Sequence, residues 1–118
     1  MAQLARHHVR TDIASETAQI EDARTLNFLA IAQMLYRRDE AALNYLSLSN
    51  VILADHPPTL RLLVKVFFRT GQDDRVIETV LDLERLGAIE TPDEITELKG
   101  RALARLGLIS AARGTLAV

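Results

Sequence analysis

The chain contains no cysteine and no tryptophan, and only five glycines and three prolines in 118 residues. Without cysteine there are no disulfides, no thiolate metal sites and no cysteine nucleophile. That is compatible with a reducing compartment. Aromatic residues make up 4% of the chain, two tyrosines and three phenylalanines, so the apolar stock is Leu, Ala, Ile and Val. Leu and Ala are good helix formers, and composition leans toward helix. The formal net charge is −2, with none of the basic excess that a nucleic-acid-binding module normally carries. No apolar run approaches the ~20 residues of a membrane helix. Residues 1–10 lack the apolar core of a signal peptide, and a cytoplasmic location is the expectation.

The same scarcity limits the available chemistry. The glycines are scattered and form no phosphate-cradling loop. His7, His8 and His56 are the only histidines, and no His-x-x-x-His or Glu-x-x-His ligand spacing occurs. Ser47, Ser49 and Ser110 sit outside any Gly-x-Ser-x-Gly elbow. The acidic pairs Asp39-Glu40, Asp73-Asp74 and Asp93-Glu94 fall at turns or helix starts, where they complement the helix dipole. The reading is of a chain without catalytic, cofactor or metal residues, hence not an enzyme.

A length of 118 residues fits one domain with an adequate core. Residues 1–11 read as a flexible N-terminal arm, with Thr11, Asp12 or Ser15 as helix N-caps. From 12 to 38 no Gly or Pro occurs, and Ile13, Ile20, Leu26, Leu29, Ala30 and Met34 recur at helical spacing. This is one long helix or two broken near Glu21-Asp22. A second helix is expected over 40–54, ended by Asp55-His56-Pro57-Pro58. A third is expected over 58–70, stopped by Gly71, and a fourth over 74–86, stopped by Gly87. Thr91-Pro92-Asp93-Glu94 reads as a capping box, with Thr91 as N-cap and Pro92 as first helical residue. The fifth helix runs from there to Leu106, stopped by Gly107, and a sixth begins near Ile109. No window shows sustained strand-type alternation, so the fold class is all-α.

The chain also repeats itself. A shift of 36 residues puts Arg69-Thr70-Gly71 on Arg105-Leu106-Gly107, Phe67 on Leu103, Val76 on Ala112 and Val80 on Leu116. A shift of 34 back from Gly71 meets the Arg37-Arg38 turn, followed by Ala42 and Leu46. Two helices per ~34 residues is the signature of a helical solenoid. Here the residues resemble the tetratricopeptide repeat family. That family has a large and a small apolar residue in the first helix, then an aromatic and a turn Gly, then a small and a bulky residue in the second helix, with a closing Pro. In the first unit Leu26, Leu29, Ala30, Ala42 and Leu46 fit, and Gln33 stands where the aromatic belongs. In the second, Leu60, Leu63, Phe67 and Gly71 fit, with Val64 and Val76 in place of small residues. In the third, Gly100, Leu103, Gly107, Ala112 and Leu116 fit, while Thr96 and Lys99 depart. The expected architecture is a helix-turn-helix solenoid of about three degenerate repeats, units 23–56, 57–92 and 93–118, within one domain over 12–118. An ordinary helical bundle is the alternative.

Arg61, Lys65 and Arg69 recur every four residues on one face of the third helix. In the resembled fold the first helix of each unit lines a concave groove. The resemblance therefore implies a partner-binding groove of Asn27, Ile31 and Met34 from the first unit, with Arg61, Lys65, Phe68 and Arg69 from the second. Arg101 and Arg105, with Glu97 near them, come from the third. Such a wall suits a helical or extended protein segment carrying acidic residues. The carboxylate clamp of chaperone-binding members is missing, since its places hold Asn27, Ile31, Leu62, Glu94 and Leu98. The size, and the stretch Phe28-Leu29-Ala30-Ile31-Ala32-Gln33 leading to Asp39-Glu40-Ala41-Ala42, resemble the small tetratricopeptide chaperones of bacterial type III secretion systems. This implies a cytoplasmic heterodimer with a small exported or needle-type protein, and no cofactor. A generic adaptor, or a piece of a larger regulator, is the alternative. A helical nucleic-acid-associated regulator using the Arg61–Arg69 stripe is a third reading. The final helix is short and apolar, which predicts a partner or self-association as a homodimer.

Overall fold

The computed structural model describes residues 2–117, and the side chains of 15–110 and 113. Among these residues there are five helices and no strand: α1 (Ala2–Leu35), α2 (Asp39–Ile52), α3 (Pro57–Arg69), α4 (Asp73–Arg85) and α5 (Glu94–Ala117). None is long and apolar enough to cross a membrane. Consecutive helices pack on each other, and α3 additionally touches α1 and α5. The helices therefore form two layers, α1–α3–α5 in one and α2–α4 in the other.

Three helices end in the same way. Arg37, Gly71 and Gly87 all take the left-handed conformation, with φ of 57°, 73° and 67°. In each case that residue's N–H reaches the carbonyl three residues back, and the next N–H reaches the carbonyl five back. These are Arg37 to Met34 and Arg38 to Gln33, Gly71 to Phe68 and Gln72 to Phe67, and Gly87 to Glu84 and Ala88 to Leu83. The paired bonds satisfy carbonyls that the helix end would leave open. Gly71 and Gly87 thus stop their helices as expected, while Arg37 accepts the same backbone at a steric cost that glycine avoids.

The 34-residue spacing is visible in the backbone. α1 ends at Leu35 and α3 at Arg69, and α2 begins at Asp39 and α4 at Asp73. Ala30 and Val64, Ala42 and Val76, and Leu46 and Val80 are pairs of fully buried residues at that offset. Small residues at the α1–α2 contact let the backbones approach closely. Leu60, Leu63, Val66, Leu83, Ile95 and Ala102 complete the central core.

The structure departs from the sequence reading in three places. α1 is one helix with no break at Glu21-Asp22, and it starts at Ala2, so the segment 1–11 read as an arm is helical from its second residue. Nothing between 2 and 35 is Gly or Pro, and no residue there interrupts the hydrogen-bond ladder. α5 begins two residues later than the Thr91 box predicts. Asp93 is the N-cap instead, its Oδ1 accepting the Ile95 N–H at 3.0 Å. Finally, α5 runs through Gly107, and there is no separate sixth helix. Gly71 is followed by polar Gln72-Asp73-Asp74, which can cap a new helix, whereas Leu108-Ile109 offers no cap. Gly100 is exposed, with nothing within 4 Å of the place a Cβ would occupy. The close-packed small residue of α5 is Ala102.

The two glycines should respond oppositely to alanine. Gly71→Ala forces a Cβ into the left-handed region and should destabilise by about 1–2 kcal/mol. Gly107→Ala removes helix-interior glycine and should stabilise by up to about 1 kcal/mol. Chemical denaturation followed by helical circular dichroism measures both, and destabilisation at Gly107 would restore it as a helix stop.

Candidate functional site: the groove of α1, α3 and α5

Two adjoining clefts run along the α1–α3–α5 layer. One, of about 530 Å³, lies between α1 and α3 against Arg24, Phe28, Ile31, His56, Leu62 and Lys65. The other, of about 380 Å³, lies between α3 and α5 against Met34, Lys65, Phe68, Glu94, Leu98 and Arg101. Lys65 borders both, so the clefts form one groove. Its apolar floor comes from all three helices. Phe28 is 73% exposed, unusual for a phenylalanine with core available.

Helix periodicity explains the apolar wall. Phe28, Ile31 and Leu35, all exposed, lie at i, i+3 and i+7 on α1. The opposite stripe of α1, Ala23, Asn27 and Ala30, is buried. Asn27 was expected on the groove wall, but its side chain turns into the core. Its Nδ2 donates to Thr59 Oγ1 at 2.9 Å, Thr59 Oγ1 lies 3.2 Å from Ser49 Oγ, and Ser49 Oγ donates to the Ala23 carbonyl at 3.3 Å. This buried chain ties α1, α2 and α3 together, and only an edge of Asn27 reaches the cleft. Ile31, Met34, Arg61, Lys65, Phe68, Arg69 and Arg101 do line the groove.

The basic stripe of α3 is not a row of free charges. Arg61 forms a two-pronged pair with Asp93, at 2.8 and 2.9 Å. Lys65 Nζ lies 2.7 Å from Glu94 Oε1, and Arg69 Nη2 lies 3.1 Å from Asp39 Oδ1. Arg69 also donates to the Met34 carbonyl at 3.2 Å. On α5, Arg101 pairs with Glu97 at 2.8 Å. Arg105 turns away from the clefts. It pairs with Asp73, donates to the Phe68 carbonyl at 3.1 Å, and stacks its guanidinium 4.1 Å from the centre of the Phe68 ring.

The Arg61–Asp93 pair stands apart from the surface pairs. The Asp93 side chain is 5% exposed. Besides Arg61 and the Ile95 N–H, it accepts the Glu90 N–H at 3.3 Å. The Arg61 guanidinium first, and the Ile95 N–H second, hold its carboxyl well below the usual carboxylate range, against the opposing effect of burial. Exposed pairs such as Lys65–Glu94 are worth at most about 1 kcal/mol. His56, at the head of α3, has its pKa lowered by burial and then by the nearby Arg24, and its buried Nε2 has no hydrogen-bond partner.

Among the described residues, no three His, Asp or Glu side chains gather as a metal site. The sequence reading left Arg24 and Phe28 out of the groove. The signal for Phe28 was its i, i+3 relation to Ile31. Arg24 gave none.

Stability should fall in two steps with acidification. A lowered His56 pKa means the unfolded chain takes up a proton first, so stability declines as pH drops below the usual 6.5. A depressed Asp93 contributes fully above the usual 3.8 and is lost progressively below it. Asp93→Asn should cost roughly 2 kcal/mol at neutral pH and flatten the acid step, while His56→Gln flattens the first. Urea titrations across pH measure both, and an unchanged acid step in Asp93→Asn would remove this pair from the account.

No protein-family model, curated protein or solved structure matches this chain, and a reading of its function rests on the residues and geometry described above.

Proposed function

We propose that the chain is a protein-binding helical scaffold of tetratricopeptide type, acting in the cytoplasm without catalysis or cofactor. One observation carries this reading. Helices α1, α3 and α5 present Phe28, Ile31, Leu62, Phe68 and Leu98 along one groove, with exposed apolar surface that folding alone leaves uncovered. The fit is to a helical or extended segment that inserts apolar side chains. The 34-residue offset of turns, helix ends and buried positions supports the repeat reading.

The internal pairing of Arg61, Lys65 and Arg69 shifts the emphasis from charge to apolar contact. A stripe already neutralised by Asp93, Glu94 and Asp39 has little left for phosphates, which argues against the nucleic-acid reading. A small exported protein kept soluble before secretion is an occupant of the required kind, and a type III secretion chaperone is the specific form we favour over a general adaptor. Arg24, without an ion pair among the described residues, would meet an acidic residue flanking the apolar anchors.

Phe28→Ala should weaken partner binding by roughly 1–3 kcal/mol without changing the thermal transition. Calorimetric titration with a protein co-purified from the native host measures this. Unchanged affinity in Phe28→Ala together with Leu62→Ala would place binding elsewhere.

A further inference from the structure

The cations of the groove are not equivalent. Arg61, Lys65, Arg69 and Arg101 each hold an acid of this chain: Asp93, Glu94, Asp39 and Glu97 in turn. Arg24 holds none among the described residues, and no carboxylate lines the α1–α3 cleft in which it stands. The α3–α5 cleft differs, since Glu94 and Glu97 line it beside Lys65, Arg69 and Arg101. The histidine of the first cleft adds no charge at neutral pH, because burial and Arg24 lower the His56 pKa. Position matters as much as charge. Arg24 is exposed and lies four residues before Phe28 and seven before Ile31, on the same stripe of α1. Met34, further along α1, borders the second cleft. Along this helix the order is therefore Arg24, then the apolar wall, then the second cleft. Four residues of helix rise about 6 Å, so Arg24 stands one turn outside Phe28.

We infer that the groove takes a segment with an acidic side chain on one flank only, an aspartate or glutamate outside the apolar anchors and against Arg24. The α5 flank, already charge-balanced, asks for none. The inference rests on the groove reading and adds the order of the occupant's residues. The acid stands about 6 Å from the apolar residue seated at Phe28. That distance is two residues in an extended segment and four in a helical one. A carboxylate at this place gains an unshared guanidinium. One set between the anchors would reach Arg61 or Lys65 only by displacing Asp93 or Glu94. Displacing Asp93 would strand a carboxylate whose side chain is buried. The groove thereby discriminates between segments of equal hydrophobicity by where their acid falls.

Short peptides selected on the full chain from a random-sequence display library are the probe, with affinities measured by calorimetric titration at low salt. The selected peptides should carry large apolar residues with Asp or Glu outside them at one end. Changing that acid to lysine should weaken binding by about fivefold or more, and Arg24→Glu should do the same to the acidic peptide. Arg24→Glu should bind the lysine peptide again, while its own thermal transition stays unchanged. Selected peptides without a flanking acid overturn the inference, as do acids placed between the anchors or an acidic peptide indifferent to Arg24→Glu. If such peptides still lose affinity in Phe28→Ala, the groove reading stands without the inference. Peptides that bind Phe28→Ala with Leu62→Ala undiminished, or a library that yields none, overturn the groove reading and the inference with it.

Discussion

Each helix of the α1–α3–α5 layer is held to the one before it by an arginine that grips the preceding turn. Arg69 of α3 takes the Met34 carbonyl and Asp39, and Arg105 of α5 takes the Phe68 carbonyl and Asp73. The two grips are alike because Met34 and Phe68, and Asp39 and Asp73, stand 34 residues apart. In each case a guanidinium is a second donor to a helix-end carbonyl that already accepts a turn N–H, and pairs with an acid in the first turn of the next helix. Arginine suits this because its donors diverge from one planar group. The grip fixes how one helix pair sits on the next, and so fixes the spacing of the groove.

The groove follows from that spacing. With the helices set by turn grips, the Asn27–Thr59–Ser49 chain and the Arg61–Asp93 pair, most polar groups between helices are consumed internally, His56 Nε2 and Arg24 being exceptions. What remains facing the groove is largely apolar, which explains why a wall that reads as basic in sequence offers mainly hydrophobic contact. A buried polar chain also demands one register, because displaced partners would leave buried donors unmet.

Much of the fold was legible. The stops at Gly71 and Gly87 and the Pro57-Pro58 helix start are local signals, and each has a local cause. Where the structure differs from the sequence pattern, the reason is common to several sites. The Thr91 box was a plausible cap, but Asp93, its own side chain buried, pairs with a half-buried arginine 32 residues away and caps the helix instead. Gly107 matched Gly71 as a letter, but lacked the capping residues that make a stop. The family resemblance placed Asn27 and Arg105 on the groove; Asn27 lines the α1–α3 cleft while its amide bonds inward to Thr59, and Arg105 is held away from the clefts by Asp73 and the Phe68 carbonyl.

The sequence by itself determined that the chain is helical, where most of its turns fall, and which residues recur. Those properties depend on propensity and short-range backbone constraint. The tertiary structure decided which charges are spent inside, which apolar residues stay exposed, and whether α5 bends or runs on. These outcomes depend on partners distant in sequence, whose geometry no local pattern records.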